Sequence, residues 1–265
     1  FSEKRKQSAK VNLDIIYADS LSLGKKNKII RESFQNLAIS ALQCLWVTAD
    51  TENRVRKLID GKPIGLDKLN QCLEKNKGIF FLTAHYGNWE IIGLFHGYIG
   101  ICPLSSIARK LDNPYLDRVT KKLRTSSGNK IIYRDESPLK IVRELKSNRS
   151  VAVMMDQNTA KGGVFVDFFG KKAATPRSLA LLSYHTGTPI LPLFCYPTKK
   201  GTYRIEYGPE IQFEKSDNKE NDILKWTHQC VQFIENVVRK NPASWMCGHR
   251  RWKTRPSEEK ETGIY

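Results

Sequence analysis

Apolar positions along the chain follow two rhythms. Between residues 25 and 48, Ile29, Ile30, Phe34, Leu37, Leu42 and Leu45 recur at helical spacing, with Phe34 and Trp46 adding large apolar surface. Residues 65–78 predict a shorter helix closed by Gly78. The segment GIFFLTA (78–84) is apolar almost throughout and does not alternate, as in a strand buried on both faces. A helix over 88–99, a strand near 101–108 and a helix over 113–127 opening at Asn113-Pro114 follow. Next come a short strand at 130–134, a helix over 137–148 capped by Ser137, and a buried strand at 150–155. Thr175-Pro176 reads as a cap and first residue of a helix that Gly187 closes and Pro189 blocks. The chain then predicts a strand at 190–197, an alternating edge strand at 203–208 and a long helix over 218–240. Strands alternate with helices, and no linker, repeat or low-complexity tract interrupts them. The fold class is therefore α/β: a single domain with a largely parallel β-sheet flanked by helices.

Length and composition change this picture little. A chain of 265 residues, 40% hydrophobic, can bury a core without disulfides. Six cysteines without C-x-x-C pairing predict buried free thiols, not a zinc or disulfide framework. No apolar run approaches the ~18–20 residues of a spanning helix. The first residue is Phe1, so the reading expects a natural N-terminal segment to be missing.

Charge adds more. Lys plus Arg number 44 against 27 acidic residues, a formal +17. Such an excess suits an anionic partner: nucleic acid, an anionic membrane surface, a phosphorylated substrate or an acidic carrier protein. A solvated basic surface is the plain alternative. The basic residues are dispersed, and no RNP, KH or zinc-finger pattern occurs, which argues against nucleic acid.

Candidate chemistry gathers where the first buried strand ends. His85 and Glu90 are five positions apart, which is about 140° around a continuous helix and opposite faces of a strand. They can converge only if the chain turns between them, and Gly87-Asn88 supplies a turn and a helix cap. His85 then ends the strand and Glu90 enters the first helical turn, at the strand end where parallel sheets bind ligands. A carboxylate on one ring nitrogen leaves the other free to take a proton from a hydroxyl. No G-x-S-x-G elbow is present, so the substrate's own hydroxyl is the expected nucleophile. The bland alternative is a strand-end histidine and a glutamate favoured by a helix N-terminus. Metal binding lacks a third ligand.

AHYGNWE (84–90), MMDQNTAKGGVFVDFFGKKAATP (154–176), TGTPILPLF (186–194) and HRRWKTRP (249–256) together resemble the late acyltransferases of lipid A biosynthesis, the lauroyl/myristoyl transferases of the lysophospholipid acyltransferase superfamily. Order and spacing agree from about residue 10 to 256.

The resemblance implies a glycerol-3-phosphate acyltransferase-like fold. It also implies transfer of a fatty acyl chain from acyl carrier protein or acyl-CoA to a hydroxyl of a glycolipid acceptor, with no cofactor. Another membrane lipid as acceptor is the alternative. His85 would be the general base and Glu90 its orienting partner, with Arg124 and Asp156 as further catalytic residues. Asp156 follows a buried strand and could face the same cleft, or cap a turn. Arg124 could bind phosphate or the thioester oxyanion, or be one cation of a basic helix. Substrate binding falls to Asn88, Gly162, Gly163 and Thr175. It also falls to Arg250, Arg251, Lys253 and Arg255, which surround Trp252 in the last block. For Gly162-Gly163 a hairpin turn, for Thr175 a helix cap and for the last block a solvated tail are the alternatives. Family members carry an N-terminal anchor, so the resemblance places the natural protein on the cytoplasmic face of a bacterial inner membrane.

Overall fold

Apolar continuity in the strands explains the architecture. In a computed structural model, which describes residues 2–259 and 264–265, three strands with long apolar runs occupy the middle of one sheet. These are β1 (Ile79–Thr83), β4 (Ser150–Met154) and β7 (Ile190–Pro197). On β1, Phe80 and Leu82 enter the core on one face while Ile79 and Phe81 enter the core on the other. Alternation is absent from the sequence because both faces are dry. The outer strands are β2 (Leu104–Ala108), β3 (Lys130–Tyr133) and β8 (Tyr203–Tyr207), and the order is β3-β2-β4-β1-β7-β8. All pairings are parallel except β7 with β8. β8 is an edge strand, with Tyr203, Ile205 and Tyr207 buried and Arg204 exposed, as its alternation predicts.

The helices are α1 (Glu3–Tyr17), α2 (Leu23–Val47), α3 (Thr51–Lys57), α4 (Leu66–Glu74), α5 (Trp89–Ile99), α6 (Pro114–Thr125), α7 (Leu139–Lys146), α8 (Ser178–Thr186) and α9 (Lys219–Lys240). Side-chain caps open three of them. Asn88, Asn113 and Asn218 accept backbone N–H groups at the starts of α5, α6 and α9. Gly100 and Gly187 hold left-handed conformations at the ends of α5 and α8, whereas α4 ends at Glu74 and is closed by left-handed Asn76, not by Gly78 as its sequence suggests.

Three further expectations need correction. Thr175-Pro176 does not open a helix. It ends β6 (Lys171–Pro176), which pairs antiparallel with β5 (Gly163–Phe168), and α8 starts at Ser178. Pro176 is tolerated because it terminates a two-stranded ribbon. The turn of that hairpin is Phe169-Gly170, both at positive φ, and not Gly162-Gly163, which precede it. Finally, the apolar positions of α2 do not all face the core: Ile30, Phe34 and Val47 are buried, whereas Leu42, Leu45 and Trp46 are exposed. All six cysteines are free thiols, and all but Cys44 are buried.

Candidate active site

Strand register brings the central pair together. β1 and β4 are parallel neighbours with Thr83 opposite Met154. Two residues further along each strand lie His85 and Asp156. The imidazole Nδ1 is 2.9 Å from Asp156 Oδ1, and the His85 backbone N–H donates to Oδ2 at 3.1 Å. Trp245 donates its indole N–H to the same Oδ2 at 3.0 Å. An ionised carboxylate only accepts, so His85 carries its proton on Nδ1 and presents the Nε2 lone pair outward. There the Gln157 side-chain amide lies 3.2 Å away. The His85 side chain retains 17% exposure and that of Asp156 2%. Trp89 flanks the imidazole edge-on, 5.0 Å between centroids.

Burial alone would push the Asp156 carboxyl up. The attraction of His85 and hydrogen bonds from its ring, its backbone N–H and Trp245 outweigh that and hold it at about 2. It is therefore an anion throughout the neutral range.

The turn between β1 and α5 is built as expected, but it serves a different pairing. Gly87 has φ +60°, and a Cβ there would lie 2.0 Å from the Cys195 carbonyl oxygen, so only glycine fits. Gly87 N–H donates to Ser244 O, and Met246 N–H donates to His85 O. These two bonds lay residues 244–246 beside the turn and deliver Trp245 to Asp156.

Glu90 sits in the first turn of α5, yet it is not the hydrogen-bond partner of His85. Arg124, from the last turn of α6, grips it with both ends of a fork: Nε to Oε2 at 2.8 Å and Nη2 to Oε1 at 2.5 Å. Trp89 Nε1 adds a third donor at 3.2 Å. The Arg124 guanidinium is held above its ordinary range mainly by its hydrogen bonding to Glu90. Two hydrogen-bonded pairs therefore stand at this end of the sheet, the neutral imidazole of His85 with the Asp156 carboxylate and the ionic pair Glu90–Arg124, with Trp89 touching the first by its ring and the second by its N–H.

The remaining expected binding residues divide. Asn88 is buried. It caps α5 at Ile91 N and donates to Gln43 Oε1, so its amide is spent on the fold. Thr175 is buried; its hydroxyl donates to Ala173 O and accepts from Arg251 Nη2 at 2.5 Å. Arg251, expected to bind substrate, is 0% exposed. Its Nη1 donates to Gln157 O and Ala174 O, and its guanidinium covers the Phe168 ring at 5.1 Å. It ties the chain after Asp156 to the β5–β6 hairpin. Trp252 is core, stacked on Phe168. Arg255 is buried against Lys172 O and Glu259. Arg250 lies half-buried over Tyr265, and Lys253 is exposed. The last block is thus in large part a clamp: of its four Lys and Arg side chains, Arg251 and Arg255 spend their N–H groups on backbone carbonyls. Gly162 is exposed at positive φ with open space around it. A Cβ on Gly163 would lie 2.3 Å from Thr159 Cγ2 and 2.7 Å from Thr175 O. An open cleft of about 760 Å³ between α2 and the end of β7 is lined by Ile39, Leu42, Pro197 and Lys199 among others, but not by His85 or Asp156.

Two members were not foreseen. Trp245 has no local sequence signal beyond an indole N–H that needs a partner when buried. His249 accepts the Asn158 N–H on Nε2 at 3.0 Å and braces the same loop.

Burial depresses His249 to about 4, against the counter-pull of Asp156, and burial depresses His96 to about 4. Both folded values lie below the ordinary 6.5, so the unfolded chain binds more protons between pH 6.5 and 4. Stability is expected to be full above pH 6.5 and to fall as pH drops through that window, by at most about 3 kcal/mol per histidine. Thermal melting from pH 7.5 to 4.5 checks this; a flat midpoint would contradict it. The Asp156 contribution persists until the pH falls below about 4 and is lost toward 2.

Known proteins resemble the chain along its length. A family model described as bacterial lipid A biosynthesis acyltransferase matches residues 1–254. A lipid A biosynthesis palmitoleoyltransferase of Escherichia coli is 27% identical over 263 residues, spanning 98% of this chain and 82% of the relative. A lipid A biosynthesis lauroyltransferase of the same organism is 23% identical, spanning 97% and 81%. A phosphatidylinositol mannoside acyltransferase of Mycolicibacterium smegmatis is 25% identical, spanning 89% and 76%.

Proposed function

This chain belongs to the bacterial lipid A biosynthesis acyltransferase family and is an acyltransferase, and we propose that it moves a fatty acyl chain from a thioester to a hydroxyl of a lipid A precursor, with His85 as general base. The carrying observation is the His85–Asp156 contact at 2.9 Å at the C-terminal ends of adjacent parallel strands. Asp156 holds the Nδ1–H tautomer. Nε2 takes the proton of the acceptor hydroxyl after that hydroxyl displaces the Gln157 amide. The hydroxyl oxygen forms its bond to the thioester carbonyl carbon, the tetrahedral oxyanion collapses, and the C–S bond breaks. The thiolate leaves with the proton returned by His85.

Arg124 contributes differently. Its Nε and Nη2 are committed to Glu90, and its Nη1 has no hydrogen-bond partner among the described residues. That free N–H group suits the developing oxyanion or a phosphate of either substrate. Glu90 positions Arg124. The acyl donor is an acyl carrier protein or acyl-CoA, and the reaction takes place at the cytoplasmic face of the inner membrane. Among the described residues no helix is long and apolar enough to cross a membrane.

Mass spectrometry of products from purified protein, acyl carrier protein or CoA thioesters and a panel of glycolipids tests the proposal. The expected product is a lipid A precursor heavier by one acyl chain as an ester. Acylation of phosphatidylinositol mannoside alone would move the acceptor to the other class of relatives; no acyl product from any pair would overturn the reading.

A further inference from the structure

The geometry points to α6 as an interfacial helix that lies on an anionic bilayer surface, a role separate from the chemistry proposed above. Tyr115, Leu116 and Val119 are 74%, 58% and 50% exposed, and Leu111, just ahead of the helix, is 41% exposed. At about 100° per residue, positions 115, 116, 119 and 123 share one arc of the helix. Leu123 is buried, so the arc that packs into the core at the C-terminal end of α6 runs out into water at its N-terminal end. Large apolar side chains on adjacent helical positions are an unusual surface for a protein that leaves them in solvent.

The side of α6 next to the Tyr115 edge of this arc supplies the charge. Arg118, Lys121 and Lys122 are exposed and have no carboxylate partner among the described residues. Arg109 and Lys110 extend the cationic run ahead of the helix. From 109 to 124 there are six cations (Arg109, Lys110, Arg118, Lys121, Lys122, Arg124) and two carboxylates (Asp112, Asp117), a difference of +4. An apolar arc bordered by cations matches the layered chemistry of a membrane surface, acyl chains beneath anionic headgroups. An acidic protein would satisfy the cations alone. The far end of α6 holds Glu90 through Arg124, so a bilayer on this helix lies beside the end of the sheet that carries His85.

The test uses the full chain and sedimentation with vesicles of phosphatidylcholine, with or without phosphatidylglycerol. Wild type is expected to bind the anionic vesicles. The double variant Leu116→Ser/Val119→Ser should weaken that binding by about tenfold or more, the effect of withdrawing two apolar side chains from lipid. Lys121→Gln/Lys122→Gln should weaken binding to anionic vesicles only. Melting temperature should not change, because all four side chains are exposed. Transfer to a detergent-dispersed acceptor should stay at the wild-type rate, which separates this result from the catalytic reading: lost vesicle binding counts even if no acceptor is found. Unchanged vesicle binding by the serine variant overturns the proposal. So does loss of carrier-protein binding, or of self-association, with vesicle binding intact.

Discussion

Replacing His85 with alanine is expected to lower acyl transfer by about 10²–10⁴-fold, the range over which a positioned general base accelerates proton removal. The loss should fall on kcat, with the KM for the thioester nearly unchanged, because the imidazole acts on the acceptor hydroxyl and not on the donor chain. The fold should survive. His85 follows β1 instead of filling the core, and Asp156 keeps two of its three donor groups, the residue-85 backbone N–H and the Trp245 indole. Losing the third costs about 1–3 kcal/mol if no water replaces it. Steady-state kinetics beside a thermal melt separate the two effects. A folded His85→Ala protein with near wild-type turnover would remove the imidazole from the mechanism.

Much of this site is legible in local sequence, and the part that is not has a definite physical origin. Apolar runs punctuated by glycine and proline reveal β1, β4 and β7, so His85 and Asp156 can each be placed at a strand end. What neither string contains is that β1 and β4 are neighbours in register. That depends on which strand pairs with which across the sheet, a tertiary choice made over some 70 residues of intervening chain. Nearness in sequence then favours Glu90 as the partner of His85. Glu90 is instead claimed by Arg124, from a helix that begins more than 20 residues later. The last block misleads for a related reason. Arg251 and Arg255 look like solvent-facing cations, yet the β5–β6 hairpin offers them carbonyls and an aromatic face, and they become internal braces. The hairpin itself is obscured because Thr-Pro serves a strand end as well as a helix start. Trp245 stays silent until the segment after α9 is seen beside the Gly87 turn.

Asp156→Asn is expected to cost about 10²–10⁴-fold in kcat while leaving the fold largely intact, and Glu90→Gln is expected not to reproduce that loss through His85. Asparagine keeps the shape of aspartate and can still accept the Trp245 and His85 backbone N–H groups. Its amide can instead donate to Nδ1. That drives the ring proton to Nε2, where the base must be empty. Removing a buried anion also removes its desolvation cost, so stability should change far less than activity. Glu90→Gln leaves the imidazole tautomer alone and acts by loosening the Arg124 fork, so its effect should fall on stability and on what Arg124 holds, substrate binding for a phosphate and a smaller part of kcat for the oxyanion. Parallel kcat, KM and melting measurements on the two isosteric variants decide which carboxylate governs the base. If Glu90→Gln loses the larger factor in kcat and Asp156→Asn turns over like wild type, the 2.9 Å contact is structural and the order of the two pairs must be reversed.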